Sequence, residues 1–242
     1  MAKMGGLQFG LADEGKGAIA KRRLLEAAVL VFGNHGLDGA TVREIAKAAG
    51  QNVAAVGYYF GSKDGLYHAI IRGIAGELPR RMGDVLDEIR ALRASGSGAS
   101  NQATELLQKL VRTHFLRSIS RPEMIPLSRI IVREQTEPTP AFDILYQLAI
   151  REFHENVCFL VGMASGRPPG DPDVIIRAHS ILGQMFSFVF ARETILRRLN
   201  WKNLEGRNAE RIADLLSENV AALMAGLQRH APPSTFTPKK QS

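Results

Sequence analysis

The sequence predicts an all-α protein, with a short N-terminal three-helix motif joined to a larger helical domain. Three observations carry this expectation. Apolar residues recur at the helical period from Ala18 almost to the C-terminus, with no strand-like alternation and no internal repeat. Helix start and stop residues punctuate that pattern at short intervals. Residues 41–60 have the spacing of two short helices joined by a tight turn. The 242 residues, 45% hydrophobic and 23% charged, are enough for one large or two modest domains with a real core.

Taken in order, residues 1–16 are Gly-rich and aperiodic, and read as a flexible tail. Leu25, Ala28, Val29 and Phe32 form one face of a first helix that Gly33–Gly36 ends. Thr41 and Glu44 make a capping-box pattern for a second helix, Val42 to about Ala48, which Gly50 breaks. Asn52 caps a third, reaching about Tyr59, and Ser62 a fourth beginning near Lys63. Pro79 predicts a kink or an end there, and 94–102 is the clearest loop. Longer helices are expected at 103–118, 123–135, 139–164, 173–199 and 205–228, with a strong break at 167–172. The helix over 173–199 is apolar on more than one face, which predicts burial on both sides. Residues 231–242 read as a disordered tail. The expected division is 17–63 for the N-terminal domain and 64–230 for the larger one.

Several classes of function are disfavoured. Lys and Arg number 31 against 24 Asp and Glu, a net charge of +7 that permits a polyanionic partner without proving one. The single Cys158 allows no disulfide framework within the chain. The sequence lacks a run of 18 apolar residues and an N-terminal signal-peptide core, which predicts a cytoplasmic protein with no membrane partner. It carries no P-loop, HExxH, GxSxG or paired-carboxylate frame, so neither an enzyme nor a cofactor is expected.

The most informative stretch is Thr41–Phe60. Ala46 is small where two helices approach, Gly50 sits in the turn, and Ile45, Ala49 and Val53 or Val56 can pack between the helices. This is the arithmetic of a helix-turn-helix, whose second helix enters a DNA major groove. Asn52, Val53, Ala54, Ala55 and Gly57 form the expected exposed side of that helix. Val and Ala can touch thymine methyls but donate no hydrogen bond, so direct readout should be modest and come from Gln51 or Asn52. Phosphate contacts should carry much of the affinity. Lys16, Lys21, Arg22 and Arg23 either extend this footprint or form a solvated helix start.

The pattern Thr41-x-x-x-Ile45-Ala46-x-x-Ala49-Gly50, then Tyr59-Phe60 and Lys63-x-x-Leu66, resembles the N-terminal domain of the TetR family of transcriptional regulators. The preceding Leu24-Leu25-x-Ala27-Ala28 through Phe32-x-x-x-Gly36 matches as well. Gln51 and Gly57 depart from the family's usual small aliphatic and aromatic at those positions. The resemblance implies phosphate contacts from Thr41, from Lys63, and from Tyr58 or Tyr59. A second run, Ser128-Arg129-x-x-x-Arg133-Glu134-Gln135-x-x-Pro138-Thr139-x-Ala141-Phe142, looks like the CerR-type C-terminal domain of one branch of that family, together with Leu182-Gly183-Gln184 and Arg192–Leu196.

The resemblance thus implies a helix-turn-helix DNA-binding domain joined to a helical ligand-binding and dimerisation domain. In the latter, Phe115, Met124, Phe153, Phe186 and Phe190 offer apolar lining for an effector pocket. Arg129, Arg133, His154, His179 and Gln184 offer polar points. Each is also explained by a plain core or an ion pair. His154 and Cys158 are spaced to share a helix face, but with no further ligand a buried thiol beside a satisfied histidine is the better reading than a metal site. The expectation is a ligand-responsive repressor, a homodimer through the last two long helices. It would bind a palindromic operator and be released by a small-molecule effector of unknown identity. The alternative is a DNA-bound adaptor of the same fold that recruits a protein partner without a small-molecule switch.

Overall fold

A computed structural model describes residues 15–96 and 98–229, and every described element is helical. The two expected tails lie outside the described residues, apart from Gly15 and Lys16. The helices are α1 Lys16–Gly39, α2 Val42–Ala49, α3 Ala54–Phe60, α4 Lys63–Ser95, α5 Ser100–His114 and α6 Ile125–Thr136. They continue with α7 Pro140–Leu145, α8 Arg151–Ser165, α9 Pro172–Phe190, α10 Arg192–Leu199 and α11 Arg207–Arg229. Two compact units divide them. Among the described residues, unit one holds 15–81 together with Arg121–Arg151, and unit two holds Met82–Ser120 and 152–229. Residues 121–151 share a core with the helix-turn-helix, because the apolar residues of α1 and α4 need a second layer to cover them.

In unit one the predicted face of α1 is fully covered, with Ala28, Val29 and Phe32 at 0% exposure. It packs with Leu66, Ile70 and Ile71 of α4, Leu127 and Ile130 of α6, and Ala141 and Leu145 of α7. Gly33 is where α1 meets α6 most closely, since a Cβ there would stand 2.8 Å from the Pro126 carbonyl oxygen. At Gly36, φ is +72°, which kinks α1 near its end; the Arg133 guanidinium fills the space a side chain would need. Pro79 does not end α4. Glu77 accepts hydrogen bonds from Arg80 Nε and Arg81 Nε, each at 2.9 Å, so ion pairs span the turn that the proline weakens.

The buried carboxylate of Glu134 joins three elements of this unit. It accepts from Tyr67 Oη at 2.7 Å, from the Thr139 amide at 3.1 Å and from Thr139 Oγ1 at 3.0 Å. Replacing it with leucine strands the tyrosine and threonine donors away from water. Glu134→Leu should therefore cost about 3 kcal/mol in urea denaturation, and Glu134→Gln, which keeps an acceptor, clearly less.

Unit two is built around α5, α8, α9 and α11. Arg112 bridges Glu210 and Asp214 on α11, and Gln108 Nε2 donates to the Ser217 carbonyl at 3.1 Å. Two breaks were not marked in the sequence. The helix expected over 139–164 contains a π-helical turn at Tyr146–Ile150 before α8. Leu145, Ala149, Phe153 and Val157 of its predicted face are each buried. The helix expected over 173–199 bends by 71° at Ala191. Its second face is also not buried. Ile181, Leu182 and Met185 are covered, but Ile175, Ile176 and Phe190 are exposed. No single helix among the described residues is long and apolar enough to cross a membrane.

Burial pushes the His114 imidazole of α5 down to about 4 from an ordinary 6.5. On acidification the unfolded chain therefore takes up this proton first. Thermal stability should fall as the pH drops from 6.5 towards 4, and His114→Phe should flatten that slope.

Candidate nucleic-acid interface

The helix-turn-helix is fixed by local chemistry at both ends of α2. Thr41 and Glu44 form the capping box: the Thr41 amide donates to Glu44 Oε2 at 2.9 Å, and the Glu44 amide to Thr41 Oγ1 at 3.2 Å. This hydrogen bonding from Thr41 lowers the Glu44 carboxyl below its usual range. At the other end Gly50 takes the left-handed conformation. Its amide donates to Lys47 O, and the Gln51 amide to Ala46 O at 2.9 Å, which closes a Schellman turn. Asn52 Oδ1 then accepts from the Ala54 amide at 2.9 Å and starts α3. Val56, at 1% exposure, pins α3 to the core.

This pinning selects the surface that α3 offers. Asn52, Val53, Ala54, Gly57 and Tyr58 are exposed, and Tyr58 is the most open at 83%. Gln51, at the turn, is half-buried. Ala55, expected on this face, instead packs partly against the core, as do Tyr59 and Phe60. Nothing lies within 4 Å of a Cβ built on Gly57, so the fold itself does not require glycine there.

Two of the expected phosphate ligands also make contacts within the fold. Lys63 Nζ donates to the Leu37 and Ala40 carbonyls at 2.9 and 3.2 Å, tying the start of α4 to the end of α1. Thr41 Oγ1 gives its proton to Glu44 Oε2 at 2.8 Å. The amino end of α1 supplies what the sequence left undecided. A Cβ on Gly17 would stand 3.4 Å from Tyr59 Oη, and Lys21 Nζ lies 5.8 Å from the Phe60 ring centre. The first turns of α1 therefore run beside the end of α3, with Lys16, Arg22 and Arg23 exposed there and Arg43 and Lys47 exposed on α2. Charge spacing alone could not have found this placement, which depends on the packing of α1 on α3.

The ten expected pocket residues fall in both units. Met124, Arg129 and Arg133 belong to unit one, where Met124 is core, Arg129 donates to Asn34 at 2.7 Å and Arg133 covers Gly36. In unit two, Phe115 meets Phe188 edge-on at 5.4 Å, and Phe153 is buried against His114 at 5.1 Å. Gln184 Oε1 accepts from Asn219, Phe186 is half-buried and Phe190 is exposed. His154 Nδ1 lies 3.3 Å from Cys158 Sγ, with the exposed His179 ring 5.9 Å away. Burial and then the His179 charge lower His154, while burial raises the Cys158 thiol. Among the described residues no three His, Cys, Asp or Glu side chains are grouped to hold a metal. A separate open groove of about 640 Å³ in unit two, lined by Glu88, Leu92, Ser95, Glu105, Leu106 and Lys109, contains none of the ten.

Residues 24–70 match the model of bacterial regulatory proteins of the tetR family. Residues 103–227 match the C-terminal domain of the HTH-type transcriptional dual regulator CecR. The chain belongs to the TetR family. It is 31% identical over 216 residues to the HTH-type transcriptional dual regulator CecR of Shigella flexneri, covering 89% of this chain and 96% of that one. The C-terminal motif is therefore CecR-type rather than CerR-type. Among solved structures, AibR in complex with isovaleryl coenzyme A and operator DNA shares the fold (TM-score 0.61, 20% identity, 83% and 97% of the two chains). So does FadR from Bacillus subtilis in complex with stearoyl-CoA (TM-score 0.57, 17% identity, 82% and 96%). The family consists of DNA-binding transcriptional regulators.

Gly57 gives a direct test of α3 as the groove helix. Gly57→Ala should stabilise the free protein by about 1 kcal/mol of helix propensity in thermal melts. In fluorescence anisotropy with duplex DNA it should weaken binding severalfold, because the added methyl prevents close approach.

Proposed function

We propose that this TetR-family protein is a cytoplasmic, ligand-responsive repressor that binds a palindromic operator as a homodimer. A small-molecule effector held in the C-terminal domain would release it. The observation that carries this reading is the pairing of an exposed α3 surface with an unpartnered apolar stripe on the two long C-terminal helices. Ile175, Ile176 and Phe190 of α9 and Leu215 of α11 are between 42% and 69% exposed. A second copy would cover that stripe, and two-fold symmetry would then set two α3 helices roughly 34–36 Å apart, one turn of the DNA groove. DNA contact would come from Gln51, Asn52, Val53, Ala54, Gly57 and Tyr58. The amides at the start of α2 beside Thr41 and the remaining Lys63 proton would add phosphate contacts. Ala55 and Tyr59 would support α3 from behind, and Arg22 and Arg23 would extend the contact onto flanking phosphates. Effector binding would favour a state with wrongly spaced α3 helices, and DNA must weaken effector binding by the same factor.

Selecting bound fragments from the source genome would yield the operator, and a two-fold repeat in the recovered site is the expected result. Sedimentation should give twice the 26.5 kDa chain mass. Ile176→Asp should shift the protein to monomer and lower operator affinity at least tenfold. An unchanged dimer would remove α9 from the interface. Arg22→Ala with Arg23→Ala should reduce the slope of log affinity against log salt by up to about 2, without changing sequence preference.

A further inference from the structure

The groups that α3 and its turn offer to a base edge are few and of one kind. Residues 51–60 carry no charged side chain. The commonest specific contact in the major groove, a forked Arg or Lys on guanine O6 and N7, therefore has no source on this helix. There is likewise no carboxylate to accept from a cytosine amino group. Asn52 and Tyr58 are the exposed polar side chains of the stretch, and Gln51 is half-buried at the turn.

Asn52 is committed at one end. Its Oδ1 accepts from the Ala54 amide at 2.9 Å. A backbone N–H can be answered only by the side-chain oxygen, so this bond fixes which end of the Asn52 amide is which. The oxygen faces the first amide of α3, and Nδ2 has no partner among the described residues. Asparagine reads adenine as a fork, accepting from N6 while donating to N7, and needs oxygen and amino group side by side on the base edge. Here the cap holds the oxygen off that edge and leaves Asn52 a donor. The next residue, Val53, is apolar and 45% exposed. Consecutive Cα atoms stand about 3.8 Å apart, close to the base-pair rise of about 3.4 Å, so residues 52 and 53 reach the same or adjoining base pairs. An acceptor beside a methyl is the major-groove signature of thymine, with its O4 and C5-methyl; the purines offer acceptors without a methyl, and cytosine offers a donor.

We propose that Asn52 and Val53 are specificity-determining residues that together read thymine in the operator. Asn52 Nδ2 donates to O4, and Val53 packs on the C5-methyl. The bond to the Ala54 amide then has two effects: it starts α3, and it sets the polarity with which Asn52 meets the base. The inference rests on the reading of α3 as the groove helix and narrows that surface to one base and two of its groups.

The test uses the full chain and duplexes built on the site selected from genomic fragments. Each thymine in turn is replaced by uracil, which lacks the methyl, and by 5-methylcytosine paired with guanine, which keeps the methyl but turns the acceptor into a donor. Binding is read by fluorescence anisotropy. At one thymine of the recognised sequence, uracil should weaken wild-type binding about fourfold and 5-methylcytosine about tenfold. Val53→Ala should bind thymine and uracil there alike. Asn52→Asp keeps an oxygen to cap α3, so it should melt no lower than the wild type. It presents an acceptor to the base, and at that position it should bind 5-methylcytosine better than thymine, whatever its overall loss of affinity. Replacing the paired adenine with 7-deazaadenine, which removes N7 alone, should leave wild-type binding unchanged. A loss with 7-deazaadenine that Asn52→Asp abolishes assigns Asn52 to adenine and overturns the proposal. Base preferences that Asn52→Asp and Val53→Ala leave unchanged at every position overturn it as well. In that case Gly57→Ala separates the two readings: weakened binding keeps α3 as the groove helix, and unchanged binding removes α3 along with the pair.

Discussion

The Glu134 carboxylate is buried and saturated with donors from Tyr67 and Thr139. A carboxylate in that position is costly to desolvate, and only full hydrogen bonding makes it tolerable. The geometry it imposes is correspondingly narrow, because α4, α6 and the start of α7 must all approach one group. The neighbouring Arg133 reaches the other way and fills the space over Gly36 at the end of α1. Consecutive residues of α6 therefore fix both helices that carry the helix-turn-helix. Lys63 closes the arrangement by binding α1's last carbonyls from the first turn of α4. The placement of α2 and α3 is thus inherited from α6.

Against that rigid support, α3 is sparing. It is a seven-residue helix with one fully buried side chain, an Asx cap, a glycine the fold does not require and a tyrosine standing almost free. Little of its surface can donate a hydrogen bond to a base edge. On the proposed reading of α3 as the groove helix, specificity would come from shape, methyl contacts and exact placement, which a support of buried, satisfied polar groups would provide.

Much of this was legible in the sequence because it is local. The capping box at Thr41, the turn at Gly50, the Asn52 cap and the apolar face of α1 are all set within a few residues, and each stands as read. What the sequence could not disclose depends on contacts between distant segments. The clamp that Lys63 makes on the end of α1 left no sign in the sequence because its carbonyl partners lie more than 20 residues away. The contacts of Arg129 with Asn34 and of Arg133 over Gly36 were equally hidden, since these partners are nearly a hundred residues distant. The bend at Ala191 falls at a good helix former and had no marker, and His114 carried no signal until its burial was visible.

The way unit one is assembled has a consequence for modularity. The residues that resemble a detachable DNA-binding head end near the start of α4, but the core beneath them is completed by α6 and α7. A chimaera that grafts only residues 17–63 onto another regulator would carry an open apolar floor in place of Leu127, Ile130, Ala141 and Leu145. Exchange of operator specificity between such proteins, whether by recombination or by design, must either move residues 121–151 along with the head or be confined to the exposed positions of α3.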